Sequence, residues 1–210
     1  QRVIAVIGLE NPAAPHNPDV PPLTEYREMG EKHFLHIEYF RQPPRADNEL
    51  AAQPRLFLHK VFHTLSGAGN YFNVFNYPPE ASYIEAMDEP PPLPWPWLSE
   101  LEMEFFVSEY SRTGFTGGLN WYRAFDLKWA QRKPFEGVQS AVPAYFLGSE
   151  HDVDLEGFHG DDPISLMRAI FPRLRAVRMI PGAGHMVQLE ASRQVNAILL
   201  DYLADISAGL

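Results

Sequence analysis

The sequence predicts an α/β protein: a mostly parallel sheet interrupted by a helical domain. Three observations point there. Residues 3–9 (VIAVIGL) form a continuous apolar, β-branched run, the pattern of a strand buried on both faces between helix layers. The last third alternates strand and helix, and a βαβα order implies parallel pairing through right-handed crossovers. Between these regions, residues 23–129 read as helices with aromatic-rich connections.

In chain order, the first strand leaves through a loop at 11–22 (NPAAPHNPDVPP) whose prolines prevent regular hydrogen bonding. Pro54 suits a first helical turn. Leu58, Val61, Phe62 and Leu65 then follow the i, i+3, i+4, i+7 spacing of a buried stripe, which Ser66-Gly67 ends. Ser99 and Glu102 form a capping box for a helix running to about Arg112. Gly114, Gly117 and Gly118 break the chain before a short helix from Leu119. Residues 90–96 (PPPLPWP) favour polyproline II and read as a stiff strap across the helices. A strand at 142–147, a helix at 164–174, a strand at 176–180 and a helix at 192–206 follow; Val195, Ile198, Leu199 and Tyr202 line one apolar face of the last. The expected divisions are a sheet strand and exit loop (1–20), a helical domain (21–129) and the rest of the sheet (130–210).

Composition removes several function classes. The 210 residues contain 45% hydrophobic and 21% charged residues, which suits a globular chain. The absence of cysteine excludes a disulfide scaffold, a thiolate zinc site and a cysteine nucleophile. A net charge of −10 without a basic stripe argues against nucleic acid and anionic membranes as partners. No apolar run approaches the roughly 18 to 20 residues of a membrane span, and no secretory signal is evident, so the expected location is the cytoplasm. Monomer and homodimer both stay open.

In open α/β sheets, functional groups gather in loops beyond the carboxyl ends of strands. The strand at 142–147 runs into GSEHDVD (148–154), and that at 176–180 into PGAGH (181–185). An acid after one strand and a histidine after the next form the acid–base half of a nucleophile, histidine, acid triad. The carboxylate sets the imidazole tautomer while the ring takes a proton. Asp152 and His185 are the candidates, with Asp154 as the competing acid. His59 and His63 lie one helical turn apart, but Lys60 occupies the glutamate position of a zinc motif and no third ligand is evident, so no metal is expected. No phosphate-cradling glycine pattern or other cofactor motif appears.

Three segments, GFTGGLNWYR (114–123), GSEHD (148–152) and GAGHMVQ (182–188), resemble in order and spacing the epoxide hydrolases of the α/β-hydrolase fold. The opening RVIAVIGL resembles the strand before that family's cap, and YFRQPP (39–44) an early cap motif. The resemblance spans nearly the whole chain and implies the C-terminal portion of such a fold, with residues 21–129 as the cap. It implies that an aspartate attacks an epoxide carbon to give an ester, while two cap groups hydrogen-bond the departing oxygen and the histidine activates the water that cleaves the ester. On this resemblance His185 is the base, Asp152 its orienting acid and Tyr122 one donor. The second donor's position carries His36; a register slip of three makes it Tyr39. Tyr39, Phe40 and Trp121 are expected at the substrate, and Phe34, Phe40, Phe105, Phe106 and Trp121 as an apolar pocket for a small epoxide.

The family's nucleophile elbow and oxyanion loop are absent from the 210 residues. The expectation is therefore a chain holding the cap and the water-activating half, with Gln1 a cut edge and a missing N-terminal segment as partner. Apolar faces of 3–9 and 142–147 should then lack partners. Two other readings stand beside it: a haloalkane or haloacid dehalogenase of the same fold, and a noncatalytic hydrolase remnant acting as a binding module.

Overall fold

A computed structural model describes residues 3–209; Arg2 of the opening motif lies outside them. The chain divides into two compact units, one helical (Asn17–Thr64 and Asn70–Pro134) and one containing the sheet, built from the residues up to His16, Leu65–Gly69 and the remainder from Phe135.

The helical unit contains α1 (Pro22–Gly30), α2 (His36–Phe40), α3 (Arg45–Ala52), α4 (Pro54–Thr64), α5 (Tyr83–Ala86), α6 (Glu100–Thr113), α7 (Thr116–Arg123) and α8 (Phe125–Arg132). Its helix starts are local chemistry. Pro22 sits in the first turn of α1, where a missing N–H costs nothing. Ser82 with Glu85, and Ser99 with Glu102, form reciprocal capping boxes. Helix α7 begins at Thr116 rather than Leu119, so Gly117 and Gly118 lie inside the helix instead of breaking the chain before it. Phe34, Leu50, Val74, Tyr83, Met87, Leu98 and Met103 fill the core of this unit. At the proline strap, Trp95 stacks on His59 and donates its indole N–H to the Pro91 carbonyl.

The sheet unit has three parallel strands in the order β1 (Val6–Leu9), β2 (Ala144–His151), β3 (Leu174–Gly184). Strand β1 is shorter than the apolar run: Val3 and Ile4 precede it and are about half exposed, contrary to burial on both faces. The expectation of unpartnered apolar residues at 142–147 fails for the pairing part. Ala144, Tyr145, Phe146 and Leu147 are fully buried because β2 is the middle strand. Alternate residues point to opposite faces. Tyr145 and Leu147 pack with Val195 and Tyr202 of α11 (Ser192–Ala208), whereas Ala144 and Phe146 pack with Met167 of α9 (Pro163–Ile170). Helix α9 ends at Ile170, short of the expected 174, because Leu174 already pairs with Ala144 at the start of β3. A four-residue helix, α10 (Val187–Glu190), precedes α11.

Candidate active site

The sequence-identified residues fall into two groups, one in each unit. In the sheet unit, Asp152 follows β2 and His185 follows β3. After a one-residue shift between Ala144 and Tyr145, the β2–β3 register is even from Tyr145 opposite Ala176 to Ser149 opposite Ile180, but His151 then pairs with Gly184. The extra residues of β3 include Gly182 at φ 71°, whose N–H donates to Glu150. A bulge of this kind re-aims a strand end, and here it draws Gly184 and His185 level with His151 and Asp152.

His185 Nδ1 donates to Asp152 Oδ2 at 2.5 Å, and Asp152 Oδ1 accepts the Leu155 N–H at 2.9 Å. Asp152 is completely buried, whereas the His185 side chain is 30% exposed. With its Nδ1 proton held by Asp152, the ring presents Nε2 as the free base. Burial pushes the His185 pKa down, but Asp152, Asp154 and Glu190 outweigh it and the net shift is upward. Burial likewise works to raise Asp152; the hydrogen bond and charge of His185, with the Leu155 N–H, hold it below the usual carboxylate range. Asp154, the competing acid, is tied instead to the Asn11 side-chain amide at 2.7 Å.

The backbone of His185 is fixed by a segment that sequence reading treated as a helix stop. The His185 N–H donates to the Leu65 carbonyl at 2.8 Å. Glu190 accepts from Gly67 N–H at 2.8 Å and from Gly184 N–H at 3.1 Å. A Cβ on Gly184 would lie 2.4 Å from the Ser66 carbonyl carbon, and one on Gly67 2.3 Å from the Gly182 oxygen. Glycine at both positions is the condition of this close approach.

Glu10, just beyond β1, was also missed, although it obeys the rule that found Asp152 and His185. Its oxygen, one from Asp152 and one nitrogen of His185 lie within 4.8 Å of one another. Metal ligands must be deprotonated, and this donor set fits a cation poorly. His185 Nδ1 is already spent on Asp152, and burial, reinforced by Asp152, pushes the Glu10 pKa up to about 9.

In the helical unit, His36, Phe40, Tyr71, Tyr83 and Tyr122 form one aromatic cluster. The His36 ring meets Tyr122 edge-on with centroids 5.7 Å apart, and Phe40 lies 4.8 Å from Tyr122. The Tyr71 hydroxyl is hydrogen-bonded to His36 Nδ1. Tyr39 is directed elsewhere: it is buried, and its hydroxyl donates to Glu49 at 2.7 Å. Burial and the Glu49 carboxylate both raise its pKa. The base of α7 is held by Arg123, which reaches the Phe40 carbonyl and pairs with Asp47. Of the expected pocket aromatics, Phe34 is fully buried in this unit's core, whereas Phe105 and Trp121 are 64% and 69% exposed. Lys128 lies 5.5 Å over the Trp121 ring. Among the described residues, no helix is long and apolar enough to cross a membrane.

No protein-family model matches the chain. Epoxide hydrolase A of Mycobacterium tuberculosis is 33% identical over 207 residues, covering 98% of this chain and 62% of that protein. The bifunctional epoxide hydrolase 2 of Mus musculus is 30% identical over 204 residues, covering 97% of this chain and 35% of that protein. Among solved structures, epoxide hydrolase A from Mycobacterium thermoresistibile superposes with a TM-score of 0.84 at 35% identity, over 97% of this chain and 62% of that one. An epoxide hydrolase from an endophytic Streptomyces superposes with a TM-score of 0.89 at 28% identity, over 98% and 62%. The chain thus spans about three-fifths of the length of the first of these relatives. By sequence and by fold, the chain is related to the epoxide hydrolases of the α/β-hydrolase fold and matches their C-terminal portion.

Proposed function

We propose that the protein adds water to a small apolar epoxide, giving a vicinal diol through an aspartyl-ester intermediate. In this reading a carboxylate attacks one epoxide carbon as the carbon–oxygen bond breaks. The oxygen is stabilised by hydrogen bonds from Tyr122 and His36 and takes up a proton. His185, oriented by Asp152, then removes a proton from water as the water oxygen attacks the ester carbonyl, releasing the diol and restoring the carboxylate. The attacking aspartate is assigned to a segment outside the 210 residues, since their sequence contains no nucleophile elbow.

The observation that carries the reading is the His185–Asp152 hydrogen bond at the carboxyl ends of neighbouring parallel strands. For the donors, the edge-on packing of His36 and Tyr122 supports their pairing, and the commitment of the Tyr39 hydroxyl to Glu49 supports His36 over Tyr39. Tyr71 donating to Nδ1 would leave the His36 proton on Nε2, where it can be given to a developing oxyanion. Residues 21–129 are proposed as the cap, and the cytoplasm as the location.

The test is turnover of styrene oxide by the protein carrying this chain together with the residues that precede it, with intact-mass analysis of His185→Gln. Diol formation by the wild type and a stoichiometric epoxide adduct on the variant are expected. Halide release from 1-chlorohexane without diol formation would instead favour the dehalogenase reading.

A further inference from the structure

The loop leaving β1 turns sharply at Glu10. This residue has φ 59°, and the turn is closed by the Asn11 N–H on the Leu9 carbonyl at 2.6 Å. A left-handed backbone is unfavourable for a residue carrying a Cβ, and such conformations persist where surrounding structure imposes them. Here the Glu10 N–H is anchored to the Leu147 carbonyl of β2 at 2.9 Å. The turn sends the Glu10 side chain inward, to 4% exposure, and Asn11 to Asp154. One short loop therefore meets both acids that follow β2.

Glu10 can carry only one proton, and its contact with Ser149 does not need it. Ser149 Oγ shares its single hydrogen between the Gly184 carbonyl at 2.8 Å and Glu10 Oε2 at 3.1 Å. Glu10 Oε1 is buried and receives no hydrogen bond from any described residue, although the Asp152 carboxylate is close by. Two buried carboxylates at this spacing do not both ionise, and Asp152 is the one held ionised by His185. We propose that Glu10 is a positioning residue for the water-activating pair: as a neutral acid it donates its proton in a hydrogen bond to Asp152, fixing that carboxylate against His185 and limiting how strongly it holds the imidazolium.

This inference rests on the reading of His185 as the water-activating base, and sharpens it. Donation by Glu10 disperses the Asp152 charge, so His185 releases its proton more readily than it would beside an unassisted carboxylate. The ionisable groups facing the cluster are Asp152 and His185, with Asp154 from the loop after β2 and Glu190 from α10 also acting on His185. The raised Glu10 pKa agrees with the neutral acid.

Two substitutions separate positioning from architecture. Glu10→Gly removes the donor while accepting the left-handed backbone; Glu10→Gln keeps a neutral donor of the same length. NMR titration of the His185 ring in the folded protein reads the effect without requiring turnover. We expect the His185 pKa to rise in Glu10→Gly by on the order of one unit, a tenfold change in free base, and to be retained in Glu10→Gln. In the turnover assay the acid limb should move up in Glu10→Gly, with kcat falling about tenfold at a pH below the shifted pKa and KM preserved. A His185 pKa unchanged in both variants, or lowered equally in both as loss of an anion would do, overturns the proposal. A wild type that shows no turnover, with the NMR pattern as expected, would instead count against the epoxide-hydrolase reading alone.

Discussion

Keeping a proton on Glu10 has a thermodynamic consequence that denaturation can read. The acid titrates near 4.5 in the unfolded chain and near 9 in the folded one, so between those values the folded state holds one proton that the unfolded state has released. Stability must therefore fall as pH rises through this window, the sign expected for an acid whose folded pKa is raised. The slope for one proton is about 1.4 kcal/mol per pH unit, which amounts to about 4 kcal/mol between pH 5 and pH 8. Glu10→Gln removes the titration and leaves the shape in place. Urea denaturation of wild type and variant at several pH values isolates this group, because Asp152, His185 and the other ionisable residues titrate in both proteins. The variant's advantage should grow steadily with pH, to several kcal/mol at pH 8. Stability curves that run parallel from pH 5 to pH 8 would show that Glu10 is ionised in the fold and refute the reasoning.

Three further outcomes are expected. Asp152→Asn leaves an amide facing His185 Nδ1, which favours the wrong tautomer; turnover should fall by about four orders of magnitude, as in other histidine–aspartate pairs, and the His185 pKa, measured by NMR, should drop because burial is then opposed only by Asp154 and Glu190. Tyr71→Phe removes the hydrogen bond at His36 Nδ1 and should lower kcat for epoxide opening about tenfold, while hydrolysis of preformed ester, followed in single-turnover experiments, is unaffected. Gly184→Ala places a Cβ 2.4 Å from the Ser66 backbone, so thermal denaturation should show a loss of about 3 kcal/mol or more, whereas Gly117→Ala, inside α7 with nothing for its Cβ to meet, should show no loss.

Features set by neighbours in sequence were the ones sequence could show. The capping box at Ser99, the proline start of α4, and the acid and histidine beyond β2 and β3 each follow from a few adjacent residues. Boundaries failed where tertiary pairing decided them. Helix α9 stops early because Leu174 joins β3. Glu10 and Glu190 went unrecognised for a different reason. Their significance lies in backbone and side-chain groups far along the chain, at Ser149 and Asp152 for one and Gly67 and Gly184 for the other. A carboxylate read alone looks like solvated surface. The proposal of His36 over Tyr39 likewise draws on the positions of Glu49, Tyr71 and Tyr122.

The order in which the sheet unit takes its parts from the chain bears on how the protein is made. Val6 of β1 pairs with Ala144 of β2, and Ser66 lies against Gly184. Every residue of the helical unit, which ends at Pro134, leaves the ribosome before the first residue of β2. At roughly 5 to 20 residues per second, β1 waits several seconds or more beside a neighbour that does not yet exist, its apolar, β-branched edge open to other chains. The yield of folded protein should therefore depend more on chaperone supply and synthesis temperature during this interval than on the stability of the finished sheet.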